Sequence, residues 1–151
     1  MKKILIILFG TVGVLLCLLW LFLVIIIPLR NDYIASETAK DIISLPLPDN
    51  TELIESKSLS GKLVGNGNGM QYFGAILVKS SLSLDELRQH YSGYADNDWT
   101  YCVEIQQTSK IEVIEHGQLS FDTDIAGEGY YIIYSWGSSK GAFNDFDIRG
   151  H

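Results

Sequence analysis

Between Lys3 and Arg30 the chain carries no charged residue, and the run from Ile4 to Leu29 is almost entirely apolar. Such a run cannot be left in water. At about 1.5 Å of helical rise per residue it crosses a hydrocarbon core of roughly 30 Å with length to spare. Residues 1–30 are therefore expected to form an N-terminal transmembrane anchor, with residues 4–29 in a lipid bilayer. A cleaved signal peptide would have a shorter apolar segment, roughly 7–15 residues, ending in small residues. This run ends instead in Ile27-Pro28-Leu29-Arg30, with nothing like an A-x-A site. Cys17 follows Leu16 and is followed by more apolar residues, which does not suit a lipoprotein site.

Lys2 and Lys3 outweigh Arg30 across the span, and the more positive flank stays in the cytoplasm. The expected topology is a single pass at a cell membrane, N-terminus cytoplasmic, C-terminal domain extracytoplasmic. Gly10, Gly13 and Cys17 share one face of the helix, a stripe of small residues through which two such helices could self-associate.

All 18 acidic residues lie beyond Arg30, so the external part is more acidic than the chain's net charge of -7. Such a surface repels phosphate backbones, which argues against a nucleic-acid partner. Cys102 is the single cysteine outside the span, so no disulfide can form within the domain.

Leu45-Pro46-Leu47-Pro48 breaks any helix, because each proline forces the residue before it into an extended conformation. Residues 31–48 are read as a juxtamembrane segment and proline linker, and 49–151 as one domain whose core lies wholly downstream of the prolines. Thr51 to Leu59 and Met70 to Lys79 have strand composition. Ser83 with Glu86 forms a capping-box signature, flanked by Leu82 and Leu87 as a hydrophobic staple. The helix they start would turn Leu84, Leu87, Tyr91 and Tyr94 inward and end at Asp96-Asn97-Asp98. Trp99 to Gln107 alternates, with Trp99, Tyr101, Val103 and Ile105 inward and Cys102 on the more polar face. Ile111 to Glu115 and Gln118 to Phe121 could form a hairpin about His116-Gly117. Tyr130 to Trp136, apolar on both faces, suits an inner strand. The expected fold is α+β: a transmembrane helix, then a two-layer domain in which one main helix covers an antiparallel sheet, in the order β-β-α-β-β-β.

Gly65-Asn66-Gly67-Asn68-Gly69 joins two strands and lacks the Gly-Lys-Ser/Thr of a phosphate loop. Its Asn-Gly steps suit a turn. As a loop on a rigid scaffold, Asn66, Gly67, Asn68 and Gly69 are also the candidate ligand- or partner-binding residues. Gly137-Ser138-Ser139-Lys140-Gly141 matches G-x-S-x-G, but too little chain follows to supply a nucleophile elbow's helix and sheet. His90, His116 and His151 have no zinc spacing. Asp96/Asp98, Asp122/Asp124 and Asp145/Asp147 do not extend into a complete calcium loop. No catalytic residue, metal site or cofactor is assigned.

The Leu45–Pro48 segment, the run from Gly61-Lys62 through Gly65–Tyr72, and the ending Asp147-Ile148-Arg149-Gly150-His151 resemble a group of small uncharacterised single-pass membrane-anchored proteins of Gram-positive (Firmicute) bacteria. The resemblance implies a bacterial cell surface and a shared fold, and transfers no activity. The expectation is a non-enzymatic, membrane-tethered binding or interaction module for a protein or envelope partner. The alternative is an envelope enzyme or accessory subunit, with its site near His90, His116 or the acidic pairs.

Overall fold

The computed structural model describes residues 2–95, 100–137 and 144–151. In it the apolar run does not stop at Pro28. It is the first part of a single helix, α1 (Lys2–Ser44), which continues through the proline. Proline has no N–H for the carbonyl four residues back, and its ring crowds that carbonyl. The defect is absorbed in a π turn, Phe22–Ile26, where the Ile27 N–H reaches back to the Phe22 carbonyl. The helix ends at Ser44, and Leu45 is extended, as the residue before Pro46 should be.

The two parts of α1 differ in their surroundings. Lys2–Leu21 has no buried residue. Beyond the π turn, Ile27, Asn31, Ala35, Thr38, Ala39 and Ile42 are buried, three and four residues apart on one face. Among the described residues, α1 is the one helix long and apolar enough to cross a membrane.

The α+β domain adds β1 (Thr51–Gly61), β2 (Gln71–Ser80), α2 (Leu84–Ser92), β3 (Cys102–Ile105) and β4 (Tyr130–Gly137). The strands form one antiparallel sheet in the order β1-β2-β4-β3. β4 lies inside it, as its two apolar faces require. The expected capping box starts α2: the Ser83 hydroxyl accepts from the Glu86 N–H, and the Glu86 carboxylate accepts from the Ser83 N–H at 2.8 Å.

Each face of the sheet is covered. On one side Ile42 of α1 and Leu87 and Tyr91 of α2 pack on Ile76, Val78, Val103 and Ile133. On the other, Ile111, Ile114, Phe121 and Ile125 pack on Phe73, Ala75, Leu77 and Ile132. The closest approach is at Gly74, where an added Cβ would strike the backbone of Thr38 and Ala39. Small residues on the helix meet glycine on the strand, which lets two backbones touch.

Several expectations change. The order is β-β-α-β-β among the described residues, because Ile111–Phe121 makes no hairpin strands. It closes through the single bridge Lys110↔Ser120 and turns its apolar residues onto the sheet. A third, irregular layer therefore replaces the two-layer arrangement. Cys102 lies under that layer, half-buried against its cluster and off the polar surface. Val103 is buried as expected, but Ile105 is exposed. Tyr94 falls beyond the end of α2 and is exposed. The core does not lie wholly downstream of the prolines, since residues 27–42 supply much of one face. Asp96-Asn97-Asp98 and Trp99 lie outside the described residues.

Glu55 pins the irregular layer to edge strand β1. Its carboxylate accepts from the Asp122 and Thr123 N–H groups and the Thr123 hydroxyl at 3.0–3.1 Å, and pairs with Lys57 at 2.7 Å. Burial acts to raise its pKa, but these partners outweigh burial and hold it at about 2, against an ordinary 4.5. A depressed pKa stabilises the fold above the unfolded value, and that contribution is lost as pH falls through the folded one. It is thus complete above pH 4.5 and lost toward pH 2. At one pKa unit per 1.36 kcal/mol it is on the order of 3 kcal/mol. Glu55→Gln is expected to lower the denaturant midpoint at pH 7, with the gap from the native chain closing as pH falls from 4.5 toward 2.

Candidate functional site

The C-terminal residues and the loop between β1 and β2 meet at the end of the sheet from which α1 projects. Asn31 and Asp32 lie there beside Tyr72 and Ser60. Ile42, about 16 Å further along the helix at 1.5 Å per residue, packs on Ile76 and Val78. The helix thus runs along β2, and its bare half leaves from the Ser60–Tyr72 end.

A polar network ties that end together. Asp147 is fully buried and accepts from Asn31 Nδ2 at 2.8 Å and from Arg149 Nη2 at 2.8 Å. Arg149 also donates to Asp32 at 2.8 Å and to the Pro28 carbonyl at 3.0 Å. Tyr72 donates to Asn31 Oδ1 at 3.0 Å, and Ser60 to Asp32 at 2.6 Å. Burial acts to raise the Asp147 pKa, but the hydrogen bonds from Arg149 and Asn31 outweigh it and hold the carboxyl below its ordinary value. Every oxygen of this buried carboxylate has a partner, as a buried charge requires.

The glycine-asparagine loop is held at its base and open at its tip. Gln71 Oε1 accepts from the Leu63 and Val64 N–H groups at 2.7 and 2.8 Å. Glu115 accepts from the Gly65 N–H at 2.9 Å, and a His116 ring nitrogen meets the Gly65 carbonyl at 2.8 Å. At the far side the Gly69 N–H donates to the Gly150 carbonyl at 2.7 Å. Gly65 and Gly69 have positive φ, 73° and 137°, whereas Gly67 does not, so the turning role falls on the outer two glycines. Asn66, Gly67 and Asn68 are exposed. Beside the loop, Lys62, His116, Arg149 and His151 line an open groove of about 430 Å³.

The structure therefore brings together two of the three resembling segments: the Lys62 N–H donates to the Arg149 carbonyl at 2.7 Å. His116 joins them. His90 does not, since it sits beside α2, its ring against the Pro46 carbonyl at 2.8 Å. Asp122 is paired with Lys57. Asp147 offers no open oxygen, and the side chain of Asp145 lies outside the described residues, as do Asp96/Asp98 and Ser138–Gly141. Among the described residues no group of three or more His, Cys, Asp or Glu could hold a metal. Gly10, Gly13 and Cys17 lie on the bare part of α1, with space for a partner at both glycines. The sequence reading missed the Asn31–Asp147–Arg149 network. Its one local signal is an asparagine immediately after the arginine that ends the apolar run.

No protein-family model, no curated protein and no solved structure matches the chain.

Proposed function

We propose that the chain is a single-pass, membrane-tethered interaction module of the bacterial cell surface, non-enzymatic, with its N-terminus cytoplasmic and its domain extracytoplasmic. It engages a protein or envelope partner through the sheet end that carries Asn66–Gly69 and the Lys62/His116 groove. The observation behind this reading is the divided helix: apolar and bare around its whole circumference from Ile4 to Phe22, then built into the domain from Ile27. A bare apolar length of that size is stable in lipid and not in water. The excess of Lys2 and Lys3 over Arg30 supplies the orientation.

The test uses the full chain with Cys17→Ala and Cys102→Ser, carrying a cysteine at exposed Glu128. A membrane-impermeant maleimide is expected to label Glu128→Cys in intact protoplasts, and labelling only after lysis would reverse the topology. Crosslinked pull-down then compares the native loop with Asn66→Asp/Asn68→Asp. The pair removes two amide donors and adds two charges at exposed positions, so the melting temperature should hold while partner recovery falls. Equal recovery removes the loop from the contact surface. The competing reading is an envelope enzyme or accessory subunit using the His116 groove. It would be favoured by turnover of cell-wall material that His116→Ala abolishes.

A further inference from the structure

Ile148 is 81% exposed, more than Ile4 at 74%, the most exposed large hydrophobic residue of the bare helix. Its neighbours in the chain are the opposite: Asp147 is fully buried and Arg149 is held by three acceptors. The network therefore fixes an isoleucine outward. Phe146 is 60% exposed and belongs to the adjoining 3₁₀ turn, Asn144–Phe146.

The place explains the exposure. Arg149 reaches the Pro28 carbonyl and Asp147 reaches Asn31, so this turn lies against the helix just where its bare apolar part ends at Ile26. From Ile26 to Pro28 the rise is about 3 Å. The headgroup zone on each side of a bilayer is roughly 5–7 Å deep, the difference between the total and hydrocarbon thicknesses.

We infer that Phe146 and Ile148 form a second membrane contact: the C-terminal turn lies in the headgroup region beside the exit of α1 and seats the domain on the bilayer. Arg30 and Lys62 are at the same end and favour the headgroup phosphates. The inference rests on the proposal that α1 spans the membrane, and adds that the domain touches the lipid it is tethered to. The Lys62/His116 groove and the glycine-asparagine loop then lie at the membrane-facing end, within reach of a partner that is itself in or on the membrane.

The test uses the full chain, with Cys17→Ala and Cys102→Ser, in vesicles of phosphatidylglycerol and phosphatidylethanolamine. An environment-sensitive fluorophore is placed in turn at Ile148→Cys, Val24→Cys and Glu128→Cys. The label at 148 is expected to emit to the blue of that at 128. Lipids spin-labelled near the headgroup should quench it, and aqueous iodide should quench it less than the label at 128. Emission and iodide quenching equal to those at 128 would overturn the inference. So would protection from both quenchers, which would mean that protein covers the turn. Val24 separates the two readings. If it is quenched by lipid while 148 behaves as water-exposed, the span stands and the second contact falls; if 24 also reports water, the span itself is wrong. Ile148 is exposed, so labelling it leaves the fold intact, and an unchanged thermal melt checks this.

Discussion

A chain beginning at Asp49 is expected to lose cooperative unfolding. It retains all four strands and α2 but lacks the helix that covers one face of the sheet, leaving Tyr72, Gly74, Ile76 and Ile133 facing water. Ile27 and Ile42 go with that helix, and burying one such side chain contributes about 1.5–3 kcal/mol. Two deleted isoleucines and several uncovered residues add up to much of the 5–15 kcal/mol by which a whole domain is stable. A chain beginning at Ile27 keeps these contacts and should melt as one transition. Calorimetry on both chains decides the matter. A sharp transition for the shorter chain at the same temperature would show that the helix is only a tether.

Arg149→Met should be the most damaging single substitution at the tether end. Asp147 is fully buried, and removing its cation leaves a buried charge held only by the Asn31 amide and the residue-149 N–H; breaking a buried pair in this way typically costs about 3–5 kcal/mol. The pH dependence separates this from a simple loss of contacts. In the native chain the depressed Asp147 pKa contributes stability above its ordinary value of 3.8, and that contribution is lost as pH falls through the folded value. In the variant the guanidinium is gone while the Asn31 amide and the residue-149 N–H still donate, so the pKa rises from its native value, and the penalty is greatest at neutral pH and is relieved as pH falls. Denaturation of the full chain in detergent should show a deficit that is large at pH 7 and shrinks toward pH 4. A constant deficit would mean that Arg149 acts only through packing or through Asp32.

What could be read from the sequence depended on which residue types carried the message. The long apolar helix was plain because length and absence of charge suffice. The capping box at Ser83 and Glu86 and the two-sided apolar strand Tyr130–Trp136 were local signals, and the chain obeys both. The buried face of residues 27–42 was not legible, because it is built from Asn31, Ala35, Thr38 and Ala39. Small and polar residues at helical spacing look like a solvated linker until Gly74 is known to lie opposite. The hairpin read at His116-Gly117 failed because alternation over so short a run cannot tell an edge strand from a loop that points its apolar residues at a neighbouring sheet. Glycines mark the candidate loop in the sequence. Its setting, against Gly150 and Glu115, depends on contacts spanning 50 residues or more, which no local pattern encodes.

Helix α1 has no joint between its bare half and its packed half, since even Pro28 is absorbed without a break. As the proposed tether, such a helix would act as a shaft and not a leash. Turning it about its axis turns the domain through the same angle, and tilting it swings the groove of Lys62 and His116 along a fixed arc. A flexible linker would let the domain search a volume that grows with linker length. The shaft would instead hold the site close to one height above the bilayer, so a partner presented at that height meets it at high effective concentration.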